Sequence, residues 1–268
     1  RLAPDGTPAI APRPPGADYR VTGSTLALSA DGTKLRVALR PGDAPLTFDP
    51  LTGLLTHSGA EAGFVTARTS GSRLNVADWR NSTRPRLNNA PLGLGEGEFS
   101  RSLAVLPGDT GLLLGTDSHL RLFDAAGRPL AAIATPGAVW GLAVAGDVAV
   151  GALGDGTLRW WRLAGGTLSE QAALFIHADS LRWVLWTPEG LFDHAPNGGQ
   201  ELVGLHLNGG RAATPEWASF QQAYRALYAP AAVRGRIAGD AAPAQARLAQ
   251  LGEIRARVGR LPQLAPAT

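Results

Sequence analysis

The sequence predicts an all-β fold, a segment of a β-propeller with a short helical tail, on three observations. The first is a strand-like string that recurs as Leu46-Thr47-Phe48-Asp49, Arg86-Leu87-Asn88-Asn89, Leu120 to Asp124, and Leu158 to Arg162. With Asp49, Asn89, Asp124 and Arg162 as equivalent points, the separations are 40, 35 and 38 residues. A period near 40 built from short strands is the signature of propeller blades. The second is that each echo runs into a turn of small residues, such as Pro50-Leu51-Thr52-Gly53 or Ala125-Ala126-Gly127. The third is composition: 34 Gly and 20 Pro in 268 residues suit many tight turns better than long helices.

Residues 1–19 hold Pro4, Pro8, Pro12, Pro14 and Pro15 and read as an extended lead-in or linker. Residues 20–210 read as blades. Thr25 to Ser29, the hairpin turn Asp31-Gly32 and Lys34 to Leu39 open the first. The second pairs Phe64 to Ala67 with Leu74 to Ala77 across Gly71-Ser72. The third pairs Leu103 to Leu106 with Leu112 to Gly115 across Gly108-Asp109. The fourth runs Val139 to Val144, Gly146-Asp147, Val148 to Ala152, Gly154-Asp155-Gly156, then Leu158 to Leu163. A fifth, partial blade is expected around Leu181 to Phe192. A seven-bladed ring of this size needs about 280 residues, so these four to five blades are expected to belong to a larger ring. The N-terminal remainder of the same propeller is the expected partner that completes it. Arg1 as first residue and the absence of Met fit a processed piece of a longer protein.

Residues 211–260 read as a basic helical tail. Trp217, Phe220, Tyr224, Leu227 and Tyr228 have helical spacing, and so do Leu248, Leu251, Ile254 and Val258 within Ala244 to Val258. The tail carries Arg211, Arg225, Arg234, Arg236, Arg247, Arg255, Arg257 and Arg260 against Glu216, Asp240 and Glu253. Residues 261–268, with Pro262 and Pro266, read as a linker.

Several function classes fall away on composition. Without cysteine the chain has no disulfide framework, no thiolate zinc site and no cysteine nucleophile. No apolar run approaches the ~20 residues of a membrane-spanning helix, and a cytoplasmic location is expected. His57, His119, His177, His194 and His206 form no i,i+4 pair and no HExxH string, so no metal is expected. GxSxG and GxxxxGK[ST] are absent, and the Gly93 to Gly97 run carries Glu96 and opens no helix, so no cofactor is expected. The formal charge is +3, and Arg alternates with Asp and Glu over most of the chain, which disfavours nucleic acid as a partner. Trp140, Trp160, Trp161, Trp183 and Trp186 lie on expected strands and read as packing between blades rather than as base-stacking platforms. Asn81-Ser82-Thr83 reads as an ordinary loop.

The run from Arg182 to Asp193 (R-W-V-L-W-T-P-E-G-L-F-D) is followed by Leu202 to Gly210 and by Phe220 to Val233, with Tyr228, Pro230 and Val233. This series resembles the end of the WD40-type propeller in bacterial proteins that join such propellers to a caspase-like peptidase. The resemblance covers Val139 onward. It departs at Leu191, Leu205 and Leu227, where the family carries aromatics, and each swap keeps an apolar side chain. It implies a non-catalytic protein-interaction scaffold: the regulatory, inhibitory or cleaved-substrate part of a caspase-like protease system, with antiviral defence signalling as a setting. The peptidase would be a partner, since this chain has no cysteine. Trp183, Trp186, Asp193, His206 and Tyr228 are then expected to lock the last blade to the helical tail, with Asp193 and His206 as network residues. Two other readings stay open. One is a propeller hydrolase using Asp109, Asp147 or Asp155 as channel carboxylates. The other is nucleic-acid binding through the Arg-rich tail.

Overall fold

A computed structural model describes residues 16–57, 62–179, 181–202, 204–207, 216–219, 224 and 227–251. The chain opens with the helical turn α1 (Tyr19–Thr22) and a 3-10 turn at Gly23–Thr25. Sheet I is a meander of β1 (Ala27–Ser29), β2 (Leu35–Val37), β3 (Leu46–Asp49) and β4 (Leu54–His57). The Asp31 carboxylate closes the β1–β2 turn by accepting from Ser29 Oγ, Thr33 Oγ1 and the Thr33 amide, and Gly32 supplies the left-handed residue at φ 72°.

The second unit departs from expectation. Phe64–Thr66, β5, does not form a hairpin with Leu74 to Ala77. It pairs instead with the free side of β1, Ala27 opposite Thr66 and Ser29 opposite Phe64. What remains is a small ribbon of β6 (Val76–Ala77), β7 (Arg86–Leu87) and β8 (Ala90–Pro91). The reason lies in residues 68–73, Arg-Thr-Ser-Gly-Ser-Arg, which have no apolar alternation to hold a ladder. Asp109 clasps this segment. It accepts from Arg68 Nη2 at 2.5 Å, Ser72 Oγ at 2.9 Å and the Arg73 amide at 2.9 Å.

Sheet III is the four-stranded meander that the turn signals predict: β9 (Ser100–Val105), β10 (Gly111–Thr116), β11 (His119–Asp124) and β12 (Pro129–Ala134). Sheet IV contains β13 (Val139–Ala145), β14 (Val148–Leu153), β15 (Thr157–Ala164) and β16 (Thr167–Ile176). The expected fifth blade is not a separate unit. Its strands β17 (Trp183–Trp186) and β18 (Phe192–His194) continue sheet IV, with Ala173 opposite Trp186 and Ile176 opposite Trp183. The ten-residue β16 offers unpaired backbone groups on its outer edge, and the next strand takes them.

A second correction concerns Trp217 to Leu227. Glu216–Ser219 is a strand, β20, paired with β19 (Gly204–Leu207), Leu205 opposite Ala218. A backbone partner here overrides a run of apolar residues spaced three and four apart. Tyr224 and Leu227 are helical, while Phe220 and Arg225 lie outside the described residues. Helix α2 (Pro230–Ala238) begins with Pro at its first turn and ends at Gly239 with φ 89°, a start and stop that the sequence does print. Helix α3 (Ala242–Leu251) covers the described part of the expected Ala244 to Val258 helix; 252–258 lie outside it. Among the described residues no helix is long and apolar enough to cross a membrane.

Strand alternation decides the layering. On sheet III, Leu103, Val105, Leu112, Leu114 and Phe123 face Val76, Leu87 and Leu92 of the ribbon. The intervening Ala104, Leu113, Leu120 and Leu122 face Val139, Leu142, Ala149, Leu153 and Trp161 of sheet IV. The opposite face of sheet IV, with Val150, Leu158, Trp160 and Leu174, packs on Leu28, Leu35, Val37 and Phe48 of sheet I and on Val233, Ile237 and Leu251 of the helices. The spatial order is ribbon, sheet III, sheet IV, sheet I, so the first sheet in sequence leans on the last. The chain is thus all-β and propeller-like, with short C-terminal helices. Among the described residues no apolar cluster joins sheet I to the ribbon, and the ring is not closed.

Candidate binding site at the converging first strands

The strands that open the sheets come together at one end of the layers. Ser102 Oγ on β9 donates to the Val139 carbonyl at the start of β13 at 2.6 Å. Gly23 lies against the backbone of Trp140 and Gly141. A Cβ on Gly23 would sit 2.8 Å from the Trp140 carbonyl carbon, and one on Gly141 would lie inside the van der Waals radius of the Gly23 oxygen. These close approaches form a rigid floor, where only glycine fits.

Above that floor is a cavity of about 600 Å³. One wall is the loop Asp78–Asn81. Asp78 and Asn81 are both left-handed, at φ 53° and 52°, a conformation that costs of order 1 kcal/mol for a non-glycine residue and is best tolerated by Asp and Asn. The two turns present Trp79 and Arg80, and the Arg80 guanidinium lies 4.8 Å over the Trp79 ring. The loop is fastened to β9 by the Ser100 amide and hydroxyl, both donating to the Ser82 carbonyl at 2.8 Å. The second wall is Arg101, whose guanidinium lies 5.0 Å from the Trp140 ring and 5.3 Å from Phe99. It donates to Asn81 Oδ1, and its Nε is buried without a partner. The third is Arg20, forked onto Asp18 by two bonds of 2.9 Å. The bonds from Arg20 hold the Asp18 carboxyl below its usual range.

The described lining holds three guanidinium groups, two indoles and the neutral polar groups of Asn81, Ser24, Thr66 and Thr69, and no carboxylate. The acids stand behind the wall. Asp117 is 4.0 Å from Arg101 Nη2, and Asp18 is engaged by Arg20. The chemistry that the described lining offers is the acceptance of negative charge.

The carboxylates considered for hydrolysis do not converge. Asp109 is the clasp described above, and the bonds it accepts from Arg73, Ser72 and Arg68 outweigh burial and hold it down at about 2. Asp147 pairs with Arg162 at 2.6 Å. Asp155 caps its own turn through Thr157. Asp147 and Asp155 flank opposite ends of β14, roughly 20 Å apart at the rise of an extended strand. Among the described residues no three His, Asp or Glu side chains are grouped as metal ligands.

A buried acid just before β9 also serves structure. Glu98 accepts from Arg121 Nε at 2.8 Å, Arg121 Nη2 at 2.5 Å, Thr116 Oγ1 at 2.5 Å and the Gly95 amide at 2.7 Å. Burial pushes its carboxyl up, but those bonds win and hold it at about 2, below the 4.5 of a free glutamate. A lowered folded-state pKa stabilises above the unfolded value, and that stability is lost as pH falls toward the folded one. The thermal midpoint is therefore expected to fall between pH 4.5 and pH 2, and Glu98→Gln to flatten part of that slope while lowering the midpoint at pH 7. Equal acid slopes in melting scans of the two proteins would rule out this role for Glu98.

The five residues marked in the sequence lie elsewhere. Trp183 is 3% exposed and meets Phe48 of sheet I edge-on at 5.0 Å. Trp186 is half-buried and opposes Phe192 across β17 and β18. Asp193 is buried and accepts from Arg234 Nη2 on α2 at 3.0 Å. Tyr228 stacks on Tyr224 at 4.7 Å, and a single bridge joins it to Phe192. His206 is on β19 opposite Trp217, and its side chain lies outside the described residues. Of the tail arginines, Arg234 and Arg236 are committed to Asp193 and Glu189; Arg211, Arg225, Arg255, Arg257 and Arg260 lie outside the described residues. The sequence reading missed Arg20, Trp79, Arg80 and Arg101. Its usable trace was Asp78-Trp79-Arg80-Asn81, an aromatic and a cation between two residues suited to left-handed turns.

No protein-family model and no curated protein matches the chain. Among solved structures it is similar to the computationally designed protein Ika8 (19% identity over 60% of this chain and 57% of that one, TM-score 0.33). It is also similar to the β-propeller domain of Cps50 (Swd1) from Myceliophteria thermophila (14% identity, 65% and 69% of the two chains, TM-score 0.35). A third is BamB from Moraxella catarrhalis (13% identity, 55% and 51%, TM-score 0.34). The chain thus spans between half and seven-tenths of the length of these proteins.

Proposed function

We propose that this chain is a non-catalytic protein-interaction scaffold that holds its partner at the cavity above Gly23 and Gly141. The observation that carries the reading is the lining itself, with arginine and tryptophan side chains on a rigid floor and no carboxylate among the described residues. Arg and Trp are the residues most enriched where binding energy concentrates, and the volume suits an inserted ligand segment. A hydrolase would need acids within reach of one reacting group, and Asp109, Asp147 and Asp155 are each engaged at a separate turn.

The setting we propose is the caspase-like protease system that the run from Arg182 to Asp193 suggests, with the peptidase and the N-terminal remainder of the propeller as partners. The docking of that run against the helices through Arg236 and Glu189 at 2.8 Å supports a shared role for the two segments. The open seam between sheet I and the ribbon supports completion by further propeller.

Photo-crosslinking residues placed at Ser24 or Thr69, with Leu130 on the exposed edge strand β12 as control, test both levels in the source cells. Protein adducts at Ser24 and Thr69 but not at Leu130 are expected, and adducts only at Leu130 would overturn the cavity as the contact site. Adducts identified as proteins other than a peptidase or propeller remainder would remove the proposed setting and leave the scaffold reading intact.

A further inference from the structure

We infer that the cavity takes an acidic peptide segment, whose side-chain carboxylates meet Arg80 and Arg101 while its backbone meets Asn81, Ser24 and Thr69; the inference rests on the interaction reading above and names its ligand class. Arg80 is exposed, and its only described contact is the Trp79 ring beneath it. Arg101 is the more constrained. Its side chain is 20% exposed between Trp140 and Phe99, its Nε has no partner, and its nearest carboxylate is 4.0 Å away, the outer limit of an ion pair. Its Nη1 is engaged by Asn81 Oδ1, so Nη2 of Arg101 and the fork of Arg80 are the N–H groups that remain for a planar, two-oxygen acceptor, which is what a carboxylate presents.

Two features favour a peptide over a nucleic acid. A single strand is held by aromatic faces on which its bases stack, yet both indoles here are already covered by the protein's own guanidinium groups. A nucleic acid also needs a basic track for its backbone. Here the described basic lining is confined to one cavity, and Arg234 and Arg236 on α2 are paired with acids. The exposed hydroxyls of Ser24, Thr66 and Thr69 and the Nδ2 group of Asn81, whose Oδ1 is held by Arg101, suit the alternating donors and acceptors of a peptide backbone.

The test is fluorescence anisotropy on the full chain with three labelled probes: a peptide of alternating Glu and Gly, its Gln and Gly twin, and oligothymidylate of the same charge. The acidic peptide is expected to bind at least about tenfold more tightly than its twin, with an affinity that falls as salt rises. Arg80→Gln is expected to weaken that binding by about tenfold without moving the thermal midpoint, because Arg80 is exposed and supports no other side chain than Trp79. Arg101→Gln is expected to weaken it as much, and its tighter packing makes Arg80→Gln the cleaner variant. Equal binding of the twin, no effect of Arg80→Gln, or tighter binding of oligothymidylate would each overturn the acidic-peptide assignment. If the peptide fails while protein adducts still form at Ser24 and Thr69, the ligand class falls and the scaffold stands; if both fail, both readings fall.

Discussion

Gly141→Val is expected to destabilise the chain by about 3 kcal/mol or more and to abolish binding at the cavity. Position 141 needs no unusual backbone angle. Its constraint is space, because its Cα approaches Gly23 so closely that any side chain would drive the opening turn away from β13. Overpacking in a well-filled site costs about 1–3 kcal/mol, and here the opposing atoms are backbone on both sides, which cannot rotate out of the way. Gly141→Ala should show the same effect in milder form. Gly93 is the control, since a Cβ there meets nothing within 4 Å; Gly93→Ala should stay within about 0.5 kcal/mol of the parent protein. Urea unfolding of the three variants checks this, and similar midpoints for Gly141→Val and Gly93→Ala would remove the close approach as a determinant of the fold.

Trp183→Ala carries the second large expectation, a loss of about 3–5 kcal/mol. The indole is 3% exposed and sits where sheet IV meets sheet I. It meets Phe48 edge-on at 68°, the arrangement that aromatic quadrupoles prefer, and it lies over the β3–β4 turn, within 3.0 Å of a Cβ built on Gly53. Removing it leaves a cavity between two sheets that cannot collapse without moving a whole layer. Trp183→Phe should recover more than half of the loss. Trp186→Ala, at a half-buried site at the other end of β17, should cost clearly less. Chemical denaturation followed by far-UV circular dichroism gives the comparison; equal losses at 183 and 186 would mean that the joint between the sheets does not depend on the Phe48 contact.

Sheets I, III and IV were legible because each hairpin prints its own turn chemistry. Asp31-Gly32, Gly146-Asp147 and Gly154-Asp155-Gly156 each sit between apolar runs. Pairing between units was not legible. Residues 64–66 of β5, Phe-Val-Thr, carry no sign that β1, not Leu74 to Ala77, is the neighbour, and the same holds for β17 on the long edge of β16. The helix expected at Trp217 failed because three- and four-residue spacing of apolar groups also arises by chance where a strand runs into a neighbouring segment. The cavity was the least legible feature. Arg20, Trp79 to Asn81, Arg101 and Trp140 come from four separate stretches, and only the layering places them around one space.

That sheet I leans on sheet IV has a consequence for synthesis. The apolar face of β1 to β3 is complete within the first 49 residues, yet the surface that covers it ends with β16 to β18, near residue 194. At about 5–20 residues per second, a nascent chain would carry Leu28, Leu35 and Phe48 uncovered for roughly 7–30 seconds after they emerge. Closing so long a loop is also a slow step for the finished chain. A ribosome-associated chaperone is then the kind of factor whose depletion is expected to lower the yield of this protein before its stability.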